Sequence, residues 1–443
     1  MEEEMDISWY RKGKIDEQLF CLEFLTEHQL VYTDGAFFSP EGRLPSEEIL
    51  RKEIYETLAP FVTTGISRRV DNILEVLKLE CRKENLPYQT TVLHVKNGTL
   101  HMKRSQLLAQ KECCRYRLPV NYNPDCGEPK LWLSFLDQLL EPEDIPTLQE
   151  FMGYCLIPTT IAQKMLLLIG NGGEGKSRIG VVMKAMLGNA MSISSVAKVE
   201  QNQFARADLE HLLVLVDDDL KMEALNQTNY IKTIVTAELP MDLERKGIQS
   251  YQGQLYARLM AFGNGNLQAI HDRSYGFFRR QIILTTKHRD PNRVDDPFLG
   301  ERLKKEIDQI FMWSLAGLYR LIGQNFRFTV SERAKRNMED AICEGNNMVE
   351  FFKTKDYFRM DPKGEITSRQ LYNLYREWCD DNAMKPMGTR EFWSTLRQTA
   401  DRYGIEFTYN VATENGKHAR GFRGICPLDR EQNFFSGLGK TPV

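Results

Sequence analysis

The sequence predicts an α/β protein in which a P-loop nucleotide-binding core lies between an N-terminal region of mixed helices and strands and a small C-terminal domain. Three observations predict this. The apolar run MLLLI, Met165 to Ile169, leads into the glycine loop GNGGEGKS, Gly170 to Ser177, and then into a helical pattern from Arg178 to Leu187. Strand, loop and helix in that order are what a phosphate-binding loop requires. Two more apolar runs, HLLVLVDDDL and YARLMAFGNGNL, end in acidic or amide clusters, as buried parallel strands do where they deliver side chains to the carboxyl edge of a sheet. After residue 347, two helical patterns precede two alternating segments joined by a turn.

Composition bounds the rest. A chain of 443 residues, 42% hydrophobic and 27% charged, is expected to form two or three soluble globular domains. No run approaches the roughly 18 apolar residues of a membrane span, and the start, MEEEMDISWYRKGK, is acidic and polar rather than a signal peptide. The expected location is the cytoplasm, with no membrane partner. Nine cysteines without a CxxC pair argue against a disulfide framework or a zinc module. A net charge of −3 supplies no global field for nucleic acid, which leaves any such binding to local basic surfaces.

In the N-terminal region Asp16 to Thr26 reads as a helix, LVYTDGAFF as a hairpin turning at Asp34-Gly35, and Glu47 to Glu56 and Arg69 to Glu84 as further helices. TTVLHVKNGTLHM reads as two strands turning at Asn97-Gly98, where His94 and His101 can face one another as a surface pair in preference to a metal site. YRLPVNYNP is a loop, and Trp132 to Tyr154 reads as helices broken at EPED.

The core carries the chemistry. Gly170, Gly172, Gly173 and Gly175 let the loop, with Asn171 and Glu174, turn its backbone N–H groups toward phosphate oxygens. Lys176 is placed to reach the β- and γ-phosphates of ATP, and Ser177 to hold the Mg²⁺ that bridges them. Asp217, Asp218 and Asp219 end the next strand. One acid, taken as Asp217, can bind Mg²⁺ through water and the next can orient the attacking water; the alternative is a plain acidic turn. LPMDLERKG reads as a turn or hairpin carrying Arg245 and Lys246. Asn264 and Asn266 end a strand expected between the glycine-loop and acidic strands, where an amide senses the γ-phosphate or merely makes a turn. Arg279 and Arg280 precede a last strand, Gln281 to Thr285. They are a solvated or salt-bridged pair, or the arginine finger of a neighbouring subunit.

In the C-terminal domain Thr367 is expected to cap a helix to about Ala383, and Thr389 a second to about Arg402, stopped by Gly404. IEFTYNV and HARGFRGIC then pair across ENGK. This is the order of a winged helix. Arg390, Arg397 and Arg402 on the second helix and Lys417, His418, Arg420 and Arg423 on the hairpin form two basic elements able to straddle duplex DNA, while Phe392 and Trp393 read as core.

Taken together, HVKNGTLHM, YRLPVNYNP, LQEFMGYCLIP, LLLIGNGGEGKS, the DDD strand, IKTIVTAELPMDLERKG, FGNGNLQAIHDRSYGFFRRQIIL and WSLAGLYRL resemble the blocks of the superfamily 3 helicases of phages, plasmids and large DNA viruses. The match is to the phage and plasmid primase-helicase type related to the poxvirus primase-helicase. The resemblance implies an AAA+-like helicase core over 131–340, a collar-like N-terminal domain over 1–130, a winged helix over 345–430 and a tail over 431–443. It implies Lys176 and Ser177 as the Walker A pair, Asp217 and Asp218 as the Walker B acids, Asn264 as sensor and Arg279 or Arg280 as finger. Lys246 matches the basic residue of the pore hairpin that grips single-stranded DNA. The family's Leu-Pro pair after the sensor is absent from GNGNLQ, so the choice between Asn264 and Asn266 stays open. The N-terminal residues lack the paired acids a primase needs, so primer synthesis is not expected and a separate primase or polymerase is left as a partner. The implied activity is ATP-dependent replicative DNA unwinding by a homo-hexamer in a bacterial host's cytoplasm. Its rivals are a DNA-remodelling ATPase that does not unwind and a DNA-binding initiator controlled by nucleotide.

Overall fold

A five-stranded parallel sheet organises the first of two units, residues 1–338 and 339–443, into which the chain divides. The computed structural model describes residues 8–11, 13–220, 225, 227–264, 275–345, 347–413 and 416–428. The sheet comprises β1 (Met165–Ile169), β2 (Met191–Ile193), β3 (Val214–Leu220), β4 (Arg258–Gly263) and β5 (Gln281–Thr285), in the order β2-β3-β4-β1-β5. All pairings are parallel. β1 and β4 are nearly all apolar and buried because helices cover both faces. β4 lies between the strand that leads into the glycine loop and the strand that ends in acids, the place expected of a strand that carries a sensor amide. β2 has only three residues, too few to show a pattern. Helix α1 (Ser177–Leu187) follows the glycine loop, and α2 (Val196–Gln201) follows β2.

One apolar core runs from Leu93 and Val120 through Trp132, Phe151, Phe262 and Leu318 to Ala334, so the boundary read near residue 130 falls inside continuous packing. Truncating a side chain such as Phe262, which is 1% exposed, would cost about 3–5 kcal/mol. Earlier in the chain, helices Glu17–Glu27, Glu48–Leu58 and Ile66–Glu80 gather around Trp9, Phe20 and Leu74 in a core of their own. The first begins where expected, because the Asp16 carboxylate accepts from the Leu19 N–H at 3.0 Å. In the hairpin of Val92–Val95 with Gly98–His101 the register sets Val92 opposite His101 and His94 opposite Thr99. The two histidines therefore do not face one another. His94 instead contacts Thr99 Oγ1 and Gln89 Oε1.

In the second unit, strands Phe358–Thr367, Glu406–Ala412 and His418–Pro427 form an antiparallel sheet with the last in the middle. The first was missed because MDPKG places a proline and a glycine where the register shifts, between Met360 and Glu365. Helix Ser368–Asp381 starts with the expected Thr367 cap, completed by Gln370 as a capping box. Helix Thr389–Thr399 differs: Gly388 is its N-cap, Thr389 is already helical, and no side-chain cap bond forms. Phe392 and Trp393 pack with Phe351, Tyr375 and Trp378, as core. No helix among the described residues is long and apolar enough to cross a membrane.

Candidate functional site

The glycine loop leaves β1 at the carboxyl edge of the sheet. Gly172, Gly173 and Gly175 take φ of 103°, 80° and 105°, a region that side chains disfavour. At Gly170 an added Cβ would lie 2.4 Å from Thr286 Oγ1 and would have to displace it, along with the ends of Lys176 and Glu174. The loop is fixed to the sheet by the Gly170 N–H donating to Gly263 O at 3.0 Å.

A cleft of about 760 Å³ opens beside the loop, within the range of small-molecule sites. Gly172, Gly173, Gly175, Lys176 and Ser177 line it, together with Asp218 and Asp219 from β3 and Asn264 from the end of β4. Lys176 Nζ lies 3.4 Å from Asn264 Oδ1. It also pairs with the Glu174 carboxylate at 3.0 Å, and both side chains are almost fully buried. Asn171 N–H at 2.6 Å and Gly172 N–H at 3.0 Å donate to the same carboxylate. Burial alone would raise the Glu174 carboxyl, but the bonds from Lys176 and the loop backbone outweigh it and hold it below the usual carboxylate range.

One placement corrects the reading of the acids. Asp217 is 5% exposed and does not line the cleft. Its Oδ2 accepts from the Val196 N–H at 2.8 Å and its Oδ1 from the Asp219 N–H at 3.3 Å, so it anchors the start of α2, and burial pushes its carboxyl up. Asp218 and Asp219, not Asp217, share the lining of the cleft with Ser177. Asn266 lies outside the described residues.

The far wall of the cleft went unread. Arg293, Asp295, Asp296, Pro297 and Leu299 line it; Arg293 Nη1 donates to Glu174 O at 2.9 Å, and Arg289 pairs with Asp295 at 2.9 Å. The segment HRDPNRVDD is polar, with no periodicity, and only its position after β5 could have drawn notice.

Arg279 and Arg280 are not in the cleft. They precede β5, whose Gln281 is level with Met165 at the start of β1, which puts them roughly 16 Å, a five-residue strand, from their own loop. Arg279 is exposed, and Arg280 Nη1 donates to Gly276 O. Arg245 and Lys246 stand on the hairpin Met241–Arg245 with Ile248–Gly253. Arg245 is half-buried and paired with Glu210 at 2.7 Å, an acid that also accepts from Tyr251 OH at 2.6 Å. Lys246 is exposed at the turn, its Nζ 6.0 Å from the Phe204 ring centroid. In the second unit Arg390, Arg397, Lys417 and Arg420 are all exposed; Arg397 stacks over Phe407 at 4.4 Å and Arg420 over Tyr409 at 5.5 Å. Arg423 pairs with Glu365 at 2.9 Å.

Residues 168–280 match the model of a family of unknown function, DUF5906. Among solved structures, the A form apo structure of the NrS-1 C-terminal region is similar at 12% identity and a TM-score of 0.54, covering 93% of this chain and 100% of that one. A second apo structure of the region gives the same values. A further A form structure gives 11% identity and a TM-score of 0.55, with 92% and 100% covered. At these identities the likeness is one of fold. No curated protein matches the chain.

Proposed function

We propose that this chain is an ATP-dependent DNA helicase serving replication of a phage, plasmid or mobile element, working as a homo-hexameric ring on single-stranded DNA. The observation that carries the reading is the convergence of Lys176, Ser177, Asp218, Asp219 and Asn264 on one cleft at the carboxyl edge of a parallel sheet. ATP would bind along the glycine loop, with Lys176 on its terminal phosphates. Ser177 and Asp218 or Asp219 would hold Mg²⁺, which supplies charge neutralisation at the transferring phosphoryl group. Asn264 touches Lys176 and is placed to sense that group.

The strand order, with β4 central, favours a P-loop helicase core, and the fold likeness to the NrS-1 C-terminal region over 93% of the chain extends that support beyond the sheet. Arg279 or Arg280, unable to reach its own loop, would complete a neighbour's site. Lys246, exposed on its hairpin, would contact the strand in the ring's pore, with Arg245 holding the hairpin through Glu210. The second unit would act as a winged helix, its Arg390, Arg397, Lys417 and Arg420 on duplex DNA. ATP hydrolysis stimulated by single-stranded DNA, together with strand displacement from a forked duplex, tests the reading; hydrolysis without displacement would reduce it to a translocating or remodelling ATPase.

A further inference from the structure

The Glu174 carboxylate is bonded to groups of the glycine loop that are able to bind an anion. Its oxygens take the Asn171 N–H at 2.6 Å, the Gly172 N–H at 3.0 Å and the Lys176 ammonium at 3.0 Å, and the residue is 3% exposed. A carboxylate so deeply buried is unfavourable unless paired and hydrogen-bonded, and here the anion-binding groups of the loop supply both. The loop is thus an anion site filled by its own anion. Its backbone is also held by contacts that do not involve that side chain. Arg293 Nη1 holds Glu174 O at 2.9 Å, Arg289 Nη1 approaches Gly173 O at 3.4 Å, and Gly170 N–H is bonded to Gly263 O at 3.0 Å. These contacts would keep the loop in place when the carboxylate swings out by side-chain rotation.

We propose that Glu174 is a resident competitor that makes the cradle selective for polyphosphate chains over single anions. An incoming ligand must replace a tethered carboxylate on Lys176 and two backbone N–H groups. Inorganic phosphate offers one anionic group for the one it displaces. A nucleoside diphosphate or triphosphate offers several, spread along the loop and the N-terminus of α1, and wins the exchange. The proposal rests on the nucleotide reading of the cleft.

The test measures Mg-ADP affinity by calorimetry, and protection against heat by inorganic phosphate, for the full chain as wild type, Glu174→Gln, Glu174→Ala and Lys176→Ala. If the open cradle is populated at about 1–10%, removing the competitor raises ADP affinity by about 10- to 100-fold. Inorganic phosphate should then stabilise both Glu174 variants but not the wild type. Unchanged or weaker ADP binding in the Glu174 variants means that the side chain only shapes the loop, and overturns the proposal. If the alanine variant fails to fold, the isosteric Gln variant carries the measurement alone. Wild-type binding that is lost in Lys176→Ala yet unimproved in Glu174→Gln sinks this proposal and leaves the nucleotide reading standing. No ADP binding by any form sinks both.

Discussion

The cleft of the first unit and the basic surface of the second both carry charged side chains and arrange them in opposite ways. Around the glycine loop, groups from the loop, β3 and the end of β4 share one cleft, and Lys176 is within bonding distance of both Glu174 and Asn264. In the second unit Arg390, Arg397, Lys417 and Arg420 are exposed, Arg397 and Arg420 each against an aromatic ring of their own. Groups that act as a unit lose everything when one is removed, whereas separated groups lose their shares independently. The contrast teaches where to look for chemistry and where for electrostatic attraction.

The largest effect should come from inside the cleft. Lys176→Ala is expected to reduce ATP turnover to background and, because it strips the buried Glu174 carboxylate of its ion-pair partner, to lower the melting temperature as well; a variant that hydrolyses at the wild-type rate would break the comparison at once. Arg279→Ala or Arg280→Ala should follow, with a loss of about 10³ to 10⁵ in turnover, roughly 4 to 7 kcal/mol, and little change in nucleotide affinity. Because both residues lie an entire strand away from their own loop, mixed rings of Arg280→Ala with Lys176→Ala should regain some turnover, and rings shown to be mixed that regain none for either arginine would argue against action between subunits.

A sharper comparison is possible within β3 itself. Asp218→Asn should lower turnover by about 10²- to 10³-fold, as loss of a single charge-stabilising group does, without loss of stability. Asp217→Ala should do the reverse, costing about 1–3 kcal/mol by leaving the buried Val196 N–H unpaired, while Asp217→Asn, which keeps an acceptor and removes a buried charge, should be tolerated. Thermal melts and turnover on the same preparations decide between these roles. On the surface the effects shrink. Lys246→Ala should flatten the log affinity against log salt slope for single-stranded DNA by about 1 to 3 in a ring and abolish DNA stimulation with basal hydrolysis intact; each of Arg390, Arg397, Lys417 and Arg420 should change the duplex slope by at most about 0.9.

The smallest effect lies outside both regions. Burial, helped by Arg117 and His101, pushes His94 from 6.5 down to about 4. Its neutral form is the folded one, so its contribution is complete above pH 6.5 and fades as pH falls toward 4. His94→Gln should flatten that part of the melting temperature against pH curve, and an unchanged curve would deny His94 the role.

What could be read in the sequence follows from how local each constraint is. The glycine loop was legible because its backbone needs glycine at fixed positions and its flanks carry their own patterns. The Thr367 cap and the buried Phe392 were legible for the same reason. The acids were only half legible: DDD announces carboxylates at a strand end, but which one faces the cleft depends on the shift of register between Asp217 and Leu220, and no spacing reports that. Glu174 and Arg293 were not legible as partners, since one was read in the glycine motif only for its backbone and the other reaches the loop from 119 residues away. The pairing of Arg245 with Glu210 spans 35 residues and is likewise not announced by any local pattern.

The central position of β4 has a consequence for how this chain is made. β1 and β3 are not neighbours; each pairs with β4, which is synthesised about 90 residues after β1. At 5–20 residues per second, a ribosome would leave β1 without that partner for roughly 5 to 20 s, and such long-range parallel pairing is intrinsically slow. During that interval two apolar strands would present open hydrogen-bonding edges, a state in which chaperones or aggregation compete with folding. The cleft cannot exist before β4 inserts, so nucleotide cannot assist the step. Chains halted near residue 250 should be captured by holdase chaperones, and chains extended well past residue 285, with the sheet complete and clear of the ribosome, should be released.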